Sequence, residues 1–248
     1  MTPVRERQRI ATGIPGLDAM LGGGLLEGST ALVSGATGVG KTTLGLQYLV
    51  TGAAQGQPGL LVTFEEFPAA LVRDARSLGW DLRALETQGR LRMIFTSPEV
   101  LLKSLQSPDS PLSETIRTMN PQRAVLDNMA HFQRLTSDAV ELRQIYNIMV
   151  NGLKREGTTS LLLDEADRFL GPQSRYRGAL PFLVDAVLLM RYVEVDSAMQ
   201  RAIAVLKMRG SSHAREIRGF SIGSGGIQIG EPFKGREGIL SGSPHRVA

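Results

Sequence analysis

Gly35-Ala36-Thr37-Gly38-Val39-Gly40-Lys41-Thr42 constrains this chain more than any other segment, because of what stands on either side of it. Thr30-Ala31-Leu32-Val33-Ser34 is an apolar run that predicts a buried strand, and Thr43 to Val50 predicts the opening of a helix. Strand, glycine-rich turn and helix, in that order, form the setting in which this spacing cradles phosphate. The glycines let successive backbone N–H groups curl around phosphate oxygens where a Cβ would obstruct them. The helix N-terminus behind them adds roughly half a positive charge. Lys41 is expected to reach the β- and γ-phosphates of a nucleoside triphosphate, and the Thr42 hydroxyl to ligate Mg²⁺. Gly35, Thr37, Gly38, Val39, Gly40, Lys41, Thr42 and Thr43 are thus the expected ATP-binding set. A glycine-rich turn that binds nothing is the alternative, and the Lys-Thr pair weighs against it.

The remaining composition narrows the class. With 248 residues and 42% hydrophobic content, one sizeable α/β core is affordable, and no long linker interrupts it, so residues 1–248 are expected to form a single domain. Ser104 to Pro111 is the least regular stretch and reads as a loop. The N-terminal segment is polar and carries no apolar core behind it, so no signal peptide is expected. The apolar run Ala179 to Met190 is broken by Asp185 and too short for a bilayer. Cysteine is absent, which excludes disulfides, thiolate metal sites and cysteine nucleophiles together. A soluble, cytoplasmic protein is the expectation. Net charge is +4, dispersed along the chain rather than gathered in a stripe, which argues against nucleic acid as a partner.

Apolar runs at Leu60–Phe64, Leu91–Phe95, Ala124–Leu126 and Ser160–Leu163 alternate with helical-period segments at Ala69–Leu78, Leu112–Met119 and Ala139–Arg155. That alternation predicts βαβ units and a mainly parallel sheet covered on both faces. After Leu180 the rhythm changes. Ala186–Val195, Arg201–Met208, Ile217–Ile222 and Gly226–Ile229 read as strands without intervening helices, so antiparallel hairpins or a meander are expected there. A nucleotide belongs at the carboxyl ends of the parallel strands, beside the first strand-to-helix turn.

Two further elements bear on whether the triphosphate is cut. Val62-Thr63-Phe64-Glu65-Glu66 reads as a strand ending in paired carboxylates, where the γ-phosphate would lie. If the chain stays extended, alternation lets only one of the pair face the nucleotide, to orient or deprotonate the attacking water. The alternative is a solvated acidic pair at the start of the next helix. For the acid that holds Mg²⁺ there are two candidates, Asp127 after Arg123-Ala124-Val125-Leu126 and the Asp164-Glu165 pair after Leu161-Leu162-Leu163. Order along the chain favours Asp127, leaving Asp164 and Glu165 as nucleotide sensors or surface acids. Lys207 and Arg209 share one strand face as i and i+2. Two cations side by side need an anion, or they blunt an exposed strand edge.

In this order the parts resemble the KaiC branch of the RecA superfamily over nearly the whole chain. Thr12-Gly13-Ile14-Pro15-Gly16-Leu17-Asp18 with Leu21-Gly22-Gly23-Gly24, then Phe64-Glu65-Glu66 and Leu78-Gly79-Trp80, carry the resemblance. Lys207-Met208-Arg209-Gly210-Ser211-Ser212-His213 is its most specific segment, followed by Ile229-Gly230-Glu231-Pro232-Phe233 and Gly238-Ile239-Leu240-Ser241-Gly242. The chain is similar to one copy of a repeat that the cyanobacterial clock members carry in tandem. The resemblance implies a homo-oligomeric ring, usually a hexamer, with ATP between neighbours. It makes Glu65 the water-activating base with Glu66 in support. It implies that Lys207, Arg209 and His213 serve ATP bound to the adjacent subunit, with Arg201 and Met208 near that nucleotide and Ser77 near the chain's own.

The departures from the family are informative. Where clock members place adjacent phosphate-accepting Ser and Thr, just before the strand matching Ala186–Val193, this chain has Pro181-Phe182. Clock-type autophosphorylation is therefore not expected. Asp164-Glu165 replaces small polar residues, so γ-phosphate sensing is expected to differ. The leading expectation is a ring-forming ATPase that hydrolyses ATP slowly as a switch for a regulatory protein partner. A DNA-dependent recombinase of the RecA–RadA type shares the core, but a zinc-ribbon cysteine set and an N-terminal helical DNA-binding domain are missing from the sequence. A scaffold without turnover would not need Glu65, Asp127, Lys207 and Arg209 together.

Overall fold

The computed structural model describes residues 8–107, 109–165, 180–234, 236–241 and 245–246. The chain opens with β1 (Arg9–Ile10), α1 (Pro15–Met20) and β2 (Leu25–Leu26). β3 (Thr30–Gly35), α2 (Lys41–Ala54) and β4 (Gly59–Thr63) follow, then α3 (Pro68–Ser77), α4 (Leu82–Thr87) and β5 (Leu91–Phe95). Next come α5 (Pro98–Gln106), α6 (Pro111–Met119), β6 (Arg123–Asp127), α7 (Ala139–Arg155) and β7 (Thr159–Glu165). The last described part holds α8 (Leu180–Leu183), β8 (Ala186–Val195), β9 (Ala198–Met208), β10 (Arg218–Gly223) and β11 (Gly226–Pro232), ending in β12 (Arg236–Glu237) and β13 (His245–Arg246).

One nine-stranded sheet organises the chain, in the order β11-β10-β9-β8-β3-β7-β6-β4-β5. The strands from β8 to β5 run parallel, and β9, β10 and β11 continue antiparallel from β8. Continuous apolar runs form the parallel strands because both faces are covered. Ala31 and Val33 of β3 pack with α1–α4 on one face, whereas Leu32 packs with α5–α7 on the other. Leu61 against Leu60 and Val62, and Leu161 against Leu162, divide in the same way.

Three details differ from the sequence expectations. β8 pairs parallel with β3 as well as antiparallel with β9, so the antiparallel region begins one strand later than expected. The stretch expected as a loop from Ser104 contains the end of α5, and only residues 107–110 join it to α6. Both helices start with Pro in the first turn after a Ser cap, Ser97 accepting from the Val100 N–H and Ser110 from the Ser113 N–H. α1 and α4, six residues each, are too short to announce themselves by periodicity.

Candidate active site

The turn between β3 and α2 owes its shape to its glycines. Gly38 and Gly40 take φ of 75° and 115°, conformations that a side chain resists. A Cβ on Gly35 would lie 2.5 Å from the Met190 carbonyl oxygen, and one on Gly40 would lie 2.6 Å from Ile222 Cδ1. Val39 turns inward and is fully buried, which pins the loop to the core. α4, α5, α6 and α7 each have a side-chain oxygen on their first N–H groups, but α2 begins at Gly40 with no side-chain cap and no acid in its first turn. Its orphan N–H groups and positive end therefore face the loop. The Lys41 ammonium folds back over the same turn, donating to the carbonyls of Gly35 and Ala36 at 2.8 and 2.9 Å. Tyr192 of β8 clamps the turn from outside, its hydroxyl donating to the Gly38 carbonyl at 2.7 Å.

Acidic side chains converge opposite this cationic turn. β6 lies beside β4 with Asp127 opposite Thr63, so both strands deliver their last residues to the same place. The Thr42 hydroxyl donates to Asp127 Oδ2 at 2.6 Å, joining the two sides. Beyond Thr63 the chain bends, and the Thr63 hydroxyl donates to the Glu66 carbonyl at 2.9 Å. The bend corrects the alternation expected for an extended strand, because Glu65 and Glu66 both line the recess. Neither acid caps the next helix: α3 starts at Phe67 without a side-chain cap or a first-turn acid. Buried Phe64 anchors the bend edge-on against Phe132, with ring centroids 5.2 Å apart.

Burial raises the pKa of Asp127, with the negative charge of Glu65 adding to it, while the Thr42 hydrogen bond and the charges of Lys41 and His131 oppose the rise. Glu66 is also raised, first by burial and then by Asp127, Asp74 and Glu65. An acid cluster strained in this way favours any cation that enters it. Asp127 and the Thr42 hydroxyl are hard oxygen donors, the chemistry that suits Mg²⁺. No cluster of three or more His, Asp or Glu residues able to hold a metal stands among the described residues.

The recess has a volume of about 710 Å³ and is lined by Thr37, Gly38, Gly40, Lys41, Thr42 and Thr43 together with Glu65, Glu66 and Asp127. Of the Asp164-Glu165 pair only Glu165 is exposed, and it stands at the recess. β7 lies directly beside β3, Asp164 is buried, and Glu165 enters the recess and accepts a hydrogen bond from the Thr37 hydroxyl. Ser77 stands at the rim: its neighbours Asp74 and Leu78 line the recess, whereas Ser77 donates to the Asp74 carbonyl. Two contacts had no sequence signal. His131 Nε2 lies 3.1 Å from Glu65 Oε2, and Tyr192 holds the phosphate loop.

Lys207, Met208 and Arg209 lie at the other end of the sheet. Met208 pairs with Ala186, which pairs with Ala31 near the start of β3, and the Arg209 N–H donates to the Asp185 carbonyl. The Lys207 ammonium donates to the carbonyls of Pro181 and Val184 at 2.8 and 2.7 Å, and Arg209 to that of Phe182 at 2.6 Å. Arg209 falls just past the end of β9, yet both cations reach carbonyls of α8 and of Val184 just after it. Burial, then the charge of Arg209, lowers the Lys207 pKa. His213 follows in the segment whose Ala214 N–H donates to the Met20 carbonyl. None of these residues lines the recess. Arg201 differs, lying at the loop end with its guanidinium 5.4 Å from the centre of the Tyr192 ring.

A family model described as "ATPase: KaiC" matches residues 10–234. The circadian clock oscillator protein KaiC of Thermostichus vulcanus is 37% identical over 248 residues, covering 100% of this chain and 47% of its own length. The circadian clock protein KaiC3 of a Synechocystis species is 34% identical over 240 residues, covering 97% and 47%. This chain thus spans about half the length of these relatives. The crystal structure of a KaiC-like protein from the archaeon Pyrococcus horikoshii superposes with a TM-score of 0.80 at 30% identity, covering 91% of this chain and 100% of that one. Among the described residues, no helix is long and apolar enough to cross a membrane.

Proposed function

The chain belongs to the KaiC family of ATPases, with a RecA-like fold, and from that premise we propose that it hydrolyses Mg-ATP in the recess between α2 and the ends of β4 and β6. The observation that carries this reading is the convergence of Lys41, the Thr42–Asp127 pair, Glu65 and Glu66 on one recess at the carboxyl ends of parallel strands. The loop N–H groups and Lys41 hold the phosphates. Thr42 and Asp127 would hold Mg²⁺, which would supply positive charge against the phosphates. Glu65 takes a proton from the attacking water as its oxygen bonds to the γ-phosphorus, and the bond to the β–γ bridging oxygen breaks to release ADP. Glu66 supports Glu65 electrostatically, and His131 holds the Glu65 carboxylate.

Lys207, Arg209, Met208 and His213 lie too far from their own chain's recess to serve it, so in this reading they act on ATP bound by a neighbour. A cytoplasmic ring, hexameric by family resemblance, supplies that neighbour. Arg201 and Ser77 have roles by resemblance alone. Residues 1–248 act as a single domain, and slow turnover makes the ring a switch for a protein partner. Glu65→Gln is expected to bind ATP and lose turnover by about 10²–10⁴, the usual worth of general-base help. If Glu66→Gln shows that loss and Glu65→Gln does not, the pair is assigned in reverse. A turnover rate unmoved by single-stranded DNA would exclude the recombinase reading. Pro181-Phe182 offers no phosphate acceptor, and Ser174 and Tyr176, the nearest alternatives in sequence, lie outside the described residues. Mass spectrometry after incubation with Mg-ATP should find no stoichiometric phosphate between residues 171 and 185, and finding it would overturn this part of the reading.

A further inference from the structure

Three phenylalanines are exposed among the described residues: Phe67 at 63%, Phe95 at 43% and Phe182 at 72%. They are not scattered. Phe67 directly follows Glu65-Glu66, Phe95 ends β5 opposite Thr63, and their rings stack with centroids 4.4 Å apart. Phe182 stands at the opposite end of the sheet, on α8, where its carbonyl accepts from Arg209 and the carbonyls around it accept from Lys207. One end of the molecule therefore presents acids beside two stacked rings, and the other presents two cations around one ring. The length of β3, about 20 Å at 3.3 Å per residue, separates them, so they cannot meet within one chain.

We propose that a second copy of this chain seats its Phe182 on the Phe67–Phe95 pair, and that this contact sets the register of a head-to-tail interface. The proposal deepens the reading of Lys207 and Arg209 as residues that serve a neighbour's site, and rests on it. Charge complementarity selects the second copy as the occupant: the cations of one end meet the carboxylates of the other. Exposed charges by themselves fix register poorly, because long side chains and solvent screening leave them many geometries. An aromatic ring in a dry contact is the usual anchor of an interface, and a stacked pair offers it both faces and edges. Lys207 is bonded to the backbone on either side of Phe182 and Arg209 to the carbonyl of Phe182 itself, so seating the ring carries both cations toward Glu65 and Glu66 of the next copy. A contact between unlike ends repeats from chain to chain and closes into a ring when its rotation allows.

The absence of cysteine makes the test direct. Phe67→Cys and Phe182→Cys are made singly, mixed in equal amounts with Mg-ATP and oxidised. A covalent dimer is expected from the mixture and not from either variant alone. The mass of the unaltered chain is measured in parallel with Mg-ATP. An oligomer whose mixed variants do not cross-link would overturn the Phe182 contact and leave the head-to-tail reading standing. A chain that stays monomeric overturns both. Phe182→Ala is expected to raise the concentration needed for assembly at least tenfold while Phe182→Leu largely restores it, and assembly unchanged by Phe182→Ala counts against the proposal.

Discussion

Asp127 shows how a carboxylate is held against its own preference. Its burial disfavours the charge, Glu65 adds repulsion, and the Thr42 hydrogen bond only partly compensates. The folded state therefore binds this proton more tightly than the unfolded chain does. By linkage, the group's contribution to stability falls as pH rises from the ordinary value of 3.8 through the raised folded pKa, and is fully recovered only below that range. Glu66 acts in the same direction from its ordinary value of 4.5. Asp127→Asn keeps an oxygen for the Thr42 hydroxyl and removes the charge. In Mg²⁺-free buffer at neutral pH its Tm should exceed that of the parent by a few degrees, the scale expected for about 1 kcal/mol in a chain of this size. The gain should disappear in acid, and Mg-ATP should stabilise the parent more than the variant. A lower Tm at neutral pH would show that the carboxylate is not strained.

At the scale of elements, the β8–β9 hairpin makes the longest ladder in the sheet and turns through two residues of positive φ, Asp196 at 51° and Ser197 at 59°. Such a turn matches the twist of its strands and favours Asn-Gly or Asp-Gly. Ser197→Gly should stabilise the protein by about 1 kcal/mol in urea unfolding, with an unchanged denaturant slope, since a side chain in this conformation costs that order of energy. A destabilised variant would mean that the Ser197 side chain makes a compensating contact. The parallel strands were legible because burial on both faces leaves an unbroken apolar run, as in Leu161-Leu162-Leu163. α1 and α4 were not, since six residues cannot display a helical period, although Ser97-Pro98 carried a cap signal for α5. The double pairing of β8 was hidden because direction depends on the strand alongside, not on its own residues. The same reasoning holds for the site. Lys41 and Thr42 open the helix after β3, Glu65 follows β4 and Asp127 ends β6, all on the side where a parallel sheet gathers its strand ends. His131 meets Glu65 from 66 residues away and Tyr192 meets Gly38 from 154, contacts that only the folded topology creates.

The whole molecule has two unlike ends, an acidic recess with a phosphate loop and a basic end with Lys207 and Arg209, and neither can complete the other within one chain. In the proposed mechanism they complete each other between chains. Arg209→Ala should bind ATP and lose hydrolysis by something like the 10³–10⁵ of an arginine supplied in trans, about 4–7 kcal/mol of transition-state stabilisation. Glu65→Gln should also lose turnover, for a different reason. Mixing the two creates interfaces in which an intact Glu65 faces an intact Arg209, a pairing absent from either variant alone. The decisive measurement is ATP turnover of that mixture after subunit exchange has been demonstrated by mass. Turnover well above the sum of the two separate variants is expected. Turnover no greater than that sum would place Arg209 outside the neighbour's site and contradict the intersubunit mechanism.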